Sequence, residues 1–129
     1  MTSRRQLILR LSPPLPLLLA AALSLTACNS TPSKATVAAR KSAESACASL
    51  QQLTDQLARP RPSNLTDPYY LTAEQYLVTA VNRAADAARQ DADYKEFADT
   101  LRRADQTWQV TSTLERAEPL IRQARKDEC

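Results

Sequence analysis

Tyr94-Lys95-Glu96-Phe97-Ala98-Asp99-Thr100-Leu101-Arg102-Arg103-Ala104-Asp105-Gln106-Thr107-Trp108 is the stretch that decides the fold. Its apolar residues Tyr94, Phe97, Leu101, Ala104 and Trp108 recur at steps of 3, 4, 3 and 4. That spacing draws one stripe down an α-helix, with the charged residues on the opposite side. A strand would need strict alternation, which is absent.

The same period extends in both directions. Upstream, Ala43, Cys47, Leu50, Leu53 (or Thr54) and Leu57 predict a first helix from about Thr36 to Ala58. Arg40–Glu44 and Asp55–Arg59 stand four apart, as charge pairs on its outer side. Pro60 and Pro62 end it. Thr72-Ala73-Glu74-Gln75 has the form of a capping box, opening a second helix through Tyr76 or Leu77, Ala80, Val81, Ala84 and Ala88. Asp91-Ala92-Asp93 interrupts it, and Asp93 with Glu96 resembles a cap for the helix quoted above. Ser112-Thr113-Leu114-Glu115 is a further capping box, and Leu114, Ala117, Leu120, Ile121 and Ala124 face inward from a last helix. Pro119 should kink that helix or mark its true start. The expectation is an all-α protein, a small antiparallel bundle of three to four helices with up-down connections.

Composition agrees. The 129 residues include no Gly and no His. Without Gly there is no phosphate-cradling loop or dinucleotide fingerprint, and tight hairpin turns are disfavoured. Without His there is no imidazole base, no Ser–His or Cys–His couple and no His metal site. Asp91, Asp93 and Glu96 lack the turn Gly and the distal Glu of a calcium loop. Asp99–Arg103 and Glu118–Arg122 read as surface pairs. Nothing selects a facing pair of carboxylates for hydrolysis, so the reading is a protein that is not an enzyme, with no cofactor and no metal site. The aromatic stripe Tyr94, Phe97, Leu101 and Trp108 reads as core, with a pocket for an apolar ligand as the rival.

The N-terminus carries an address. Arg4, Arg5 and Arg10 form a basic segment, and Leu15 to Leu25 is an apolar run broken by Pro16 and Ser24. It is shorter than the roughly 20 residues a spanning helix requires. Leu25-Thr26-Ala27-Cys28 follows, and the whole resembles the lipobox signal peptide of bacterial lipoproteins. The resemblance covers the first 28 residues; the remainder resembles no particular family. It implies cleavage after Ala27 and a diacylglycerol, with acyl chains such as palmitate, on Cys28. Leu25 and Ala27 would then fill the peptidase subsites. Ser3-Arg4-Arg5-Gln6-Leu7-Ile8 also resembles a twin-arginine motif, so the general and twin-arginine export routes both stay open. The organisation expected is a cleaved signal at 1–27, a lipidated tether at 28–35 and a helical domain at 36–129.

Cleavage changes the electrostatics. Three of the 17 basic residues lie before Cys28, which leaves 14 against 14 acidic ones. A formally neutral chain offers no electrostatic reason to bind nucleic acid. Lipidation also leaves Cys47 and Cys129 as the two remaining cysteines, and in an exported protein these read as one disulfide. In an up-down bundle the end of the last helix lies beside the start of the first, which would bring them together there. The connection Pro60–Tyr70 is the one long one: it reads first as a solvated spacer whose tyrosines tuck against the bundle end, and in the rival reading as a binding loop with Arg59, Arg61, Tyr69 and Tyr70 as candidate partner-binding residues. The functional expectation is a non-catalytic interaction or structural module of the cell envelope. It would be held to an extracytoplasmic membrane face by lipid on Cys28 and bind another envelope protein. A carrier of a small apolar ligand is the alternative.

Overall fold

The computed structural model describes residues 33–129; the signal, the lipobox and Cys28 lie outside the described residues. Among the described residues there are four α-helices and no strand. They are α1 (Lys34–Leu57), α2 (Pro68–Gln90), α3 (Lys95–Thr111) and α4 (Leu114–Glu128), with a 3-10 turn at Ala92–Tyr94 leading into α3. The contacts run α1 with α2, α2 with α3 and α3 with α4, and α1 meets α4 over a smaller area. This is the expected up-down bundle.

Helix starts departed from the expected caps. Ser33 caps α1 by accepting from the Thr36 backbone N–H at 3.2 Å, so the helix begins inside the stretch assigned to the tether. α2 begins at Pro68, four residues before the Thr72 capping box. Asp67 Oδ1 accepts from the Tyr69 N–H at 2.9 Å, and proline at the first helical position loses no bond because its missing N–H would be unpaired there anyway. Thr72 and Gln75 are therefore interior helix residues, and Tyr69 and Tyr70 belong to the first turn of α2. At the next junction Asp91, not Asp93, is the cap, accepting from the Asp93 N–H at 3.0 Å.

Between α3 and α4 there is no capping box either. Ser112 takes a left-handed conformation (φ 53°), and Thr113 at the N-cap makes no side-chain cap bond. Instead the Thr113 N–H donates to Thr111 Oγ1 at 3.2 Å, which fastens this two-residue connection. The left-handed backbone costs a non-glycine residue roughly 1–2 kcal/mol. The chain accepts it because the turn must reverse within two residues. Pro119 does not mark the start of α4, since the helix runs from Leu114 through it. Pro119 and Glu115, whose carbonyl loses its usual donor, are both exposed, so water can satisfy that oxygen.

The core lies along the bundle axis. Leu50, Leu53, Leu77 and Leu101 are its largest fully buried side chains. Around them, Ala39, Ala43 and Ala46 of α1 and Ala73, Ala80, Ala84 and Ala87 of α2 are all buried. Two facing stripes of methyl groups allow close helix approach, which explains why α1 and α2 share the most extensive contact. Phe97 and Leu101 sit in this core, with Tyr94 and Trp108 packed against its ends.

Cys47 and Cys129 form a disulfide, with their Cα atoms 5.7 Å apart. Cys47 is half-buried at the border of the core, and it lies midway along α1, not at its start. Helix length explains this. At 1.5 Å per residue α4 spans about 22 Å and α1 about 36 Å, so the end of α4 arrives opposite the middle of α1. Arg125 Nη1 at 3.5 Å from Thr54 Oγ1, and Arg125 against Gln51, mark the same antiparallel register.

The surface pairs also differ from those expected. Among the described residues, neither Arg40–Glu44 nor Asp55–Arg59 pairs, and Asp55 accepts instead from Gln51 Nε2 at 2.9 Å. Asp99 pairs with Lys95 at 3.0 Å and with Arg102 at 3.1 Å in place of Arg103. Glu118–Arg122 forms as expected, at 3.5 Å. No helix among the described residues is long and apolar enough to cross a membrane.

Candidate functional site at the loop end of the bundle

Up-down topology collects four chain segments at one end of the bundle. These are the end of α1 with the loop 58–67, the start of α2, the end of α3 and the start of α4. The four residues expected to bind a partner all belong to this end, and they have different employments.

Arg61 is a staple. Its guanidinium meets Glu115 at 3.1 Å and also pairs with Glu118, whose side chain is only 18% exposed. It therefore ties the loop to the first turns of α4. Tyr69 is buried, its carbonyl accepts from Gln56 Nε2 at 3.2 Å, and its hydroxyl is enclosed without a partner among the described residues. Tyr70 is half-buried and donates from its hydroxyl to the Pro62 carbonyl at 2.7 Å. Its ring meets that of Tyr69 edge-on, with centroids 5.0 Å apart. Arg59 is exposed, and its N–H closes the end of α1 on the Gln56 carbonyl at 3.2 Å. The tyrosines and Arg61 thus shape the end of the bundle, while Arg59 and one side of Tyr70 face solvent.

A groove of about 460 Å³ opens beside them, between the loop, α2 and α3. Leu65, Tyr70, Leu71 and Trp108 supply apolar and aromatic walls, and Asp67 and Glu74 supply carboxylates. Leu65 is 65% exposed and Leu71 58%, unusual values for leucines of an otherwise well-packed bundle. Gln109 Nε2 donates to Glu74 Oε1 at 2.7 Å and holds that carboxylate against α3. The period-based reading missed Leu65, Leu71, Glu74 and Trp108 as a set. The available signal was Leu71, an apolar residue off the inward stripe of its helix.

The opposite end of the bundle carries carboxylates. Asp93, Glu96, Asp127 and Glu128 surround a small cleft floored by Phe97 and Thr100. Partial burial, with the Asp127 charge as the lesser cause, holds the Glu128 carboxyl above its ordinary range. Asp99 is moved the other way, mainly by the hydrogen bond from Lys95, with the charges of Lys95, Arg102 and Arg103 assisting. These carboxylates do not converge on one point, and among the described residues no three His, Cys, Asp or Glu side chains are placed to hold one metal ion.

Compared with known proteins, the chain matches no family model, no curated protein and no solved structure.

Proposed function

We propose that this chain is a lipid-anchored extracytoplasmic module of the bacterial envelope that binds another envelope protein without chemistry of its own. The disulfide is the observation that carries this reading. Cys47 and Cys129 are bound to each other, so the third cysteine of the chain, Cys28, has no partner left within it. Cys28 is the residue that closes Leu25-Thr26-Ala27-Cys28, where a lipobox would place its lipid. A bridge spanning 82 positions also suits a compartment in which disulfides persist.

The aromatic stripe favours an interaction module over a carrier of apolar ligand. Phe97 and Leu101 are buried in the core, and the cleft that Phe97 floors is ringed by carboxylates, which do not suit an apolar ligand. The exposed leucines at the loop end are instead what a binding surface leaves uncovered. Replacing Cys28 with Ser tests the anchor. The variant should pass from the membrane fraction to the soluble extracytoplasmic fraction, and a variant that stays on the membrane refutes the lipobox reading. Crosslinking in whole cells should recover the wild-type chain joined to an envelope protein.

A further inference from the structure

We infer that the groove at the loop end is the docking site for a basic side chain, Lys or Arg, presented by a partner protein on an apolar segment. This rests on the reading of the chain as a protein-interaction module and names the surface and the chemistry of its partner. Two aromatic rings, Tyr70 and Trp108, stand in one groove with two carboxylates, Asp67 and Glu74. No basic residue lines it. Neither Asp67 nor Glu74 has an ion-pair partner among the described residues; Asp67 Oδ1 accepts from the Tyr69 N–H and Glu74 Oε1 from Gln109 Nε2, which leaves the second oxygen of each carboxylate for an outside donor. The start of α2 and the end of α3 both border the groove, and their opposite helix-end dipoles largely offset each other. The carboxylates therefore set its sign, and it is negative.

A cation fits both halves of this lining, through charge-assisted hydrogen bonds to the carboxylates and through the ring faces. Leu65 and Leu71 on the rim give apolar neighbours of that cation a place to lie. A protein segment satisfies both demands.

Trp108 is the single tryptophan of the chain and reports from the groove itself. Its emission in the purified full chain, held in detergent, would be followed during titration with acetyl-Leu-Arg-Leu-amide, its Glu-centred counterpart and tetramethylammonium. The Arg peptide should give a saturable change, with the Glu peptide weaker by about tenfold, the combined effect of lost attraction and added repulsion. Glu74→Gln should weaken the Arg peptide about threefold and Glu74→Lys should abolish its binding, with helicity unchanged in both. Equal responses to the Arg and Glu peptides would overturn the proposal. Tetramethylammonium binding as tightly as the peptide would overturn it in favour of a small cation. A dimer of the full chain that Glu74→Lys dissociates would overturn it in favour of a second copy. None of these outcomes depends on lipid at Cys28, so failure here leaves the anchor test standing and failure there leaves this one.

Discussion

Removing the Cys47–Cys129 bridge, by Cys47→Ala together with Cys129→Ala, should act almost entirely on the unfolded chain. Cys47 is only half-buried and Cys129 is exposed, so the alanines open little cavity in the folded bundle. The bridge closes a loop of 82 positions. Loop-closure entropy for that length gives about 4.5 kcal/mol of stabilisation, against the roughly 5–15 kcal/mol that domains of this size possess. The geometry adds a local consequence. α4 touches α1 over a short span, and the bridge fastens its last turn there. Without it, backbone amides near Arg125 should exchange faster than those around Ile121 and Leu101. Urea denaturation of the oxidised chain and the double variant, followed by far-ultraviolet circular dichroism, measures the global part. The double variant should lose most of that stability and show a larger slope, because its unfolded state is less compact. A loss below about 1 kcal/mol would contradict the entropic argument. It would mean that α4 holds to α1 by packing alone.

Other expectations concern the packing and the charges. Ala80→Leu, at a fully buried position of the methyl stripe, should cost about 1–3 kcal/mol by forcing α2 away from its neighbours; an unchanged denaturation midpoint would show that the helices are not closely apposed there. The lowered Asp99 carboxyl contributes stability that is present above its unfolded value and is lost as pH falls through its folded one. The raised Glu128 carboxyl works in the opposite sense, costing stability when ionised and returning it as pH falls through its folded value. Thermal midpoints across the acid range should therefore fall less steeply for Asp99→Asn and more steeply for Glu128→Gln than for the parent. Superimposable curves would remove both assignments.

What could be read from the sequence, and what could not, follows from how local each signal is. The stripe Phe97, Leu101, Ala104 and Trp108 is a property of one helix, and its period suffices to place it. The cysteine pair was legible because an up-down order of four helices allows the last one to return beside the first. Its position midway along α1 was not, since that depends on the unequal lengths of α1 and α4. The start of α2 was misread because two cap signals, Asp67 and Thr72, compete five residues apart. Asp67-Pro68 wins by offering a cap and a proline that sacrifices no bond. Charge pairs such as Asp99 with Arg102 or with Arg103 differ by only about 0.2–0.5 kcal/mol, too little for spacing to decide between them. The groove had no periodic signature at all. Leu65 and Trp108 are far apart in the chain, and only the reversal at Asp91–Tyr94, which runs α3 back along α2, brings their surroundings to one end.

Cys28 is proposed to carry lipid while Cys47 and Cys129 hold the bundle. Intact-mass and N-terminal peptide analysis of the chain extracted from its native membrane tests both parts in one measurement. The expected species is a polypeptide that begins at Cys28, bears a diacylglycerol there, and has Cys47 joined to Cys129. A chain that retains residues before Cys28, or one whose Cys28 bears no lipid, would contradict it.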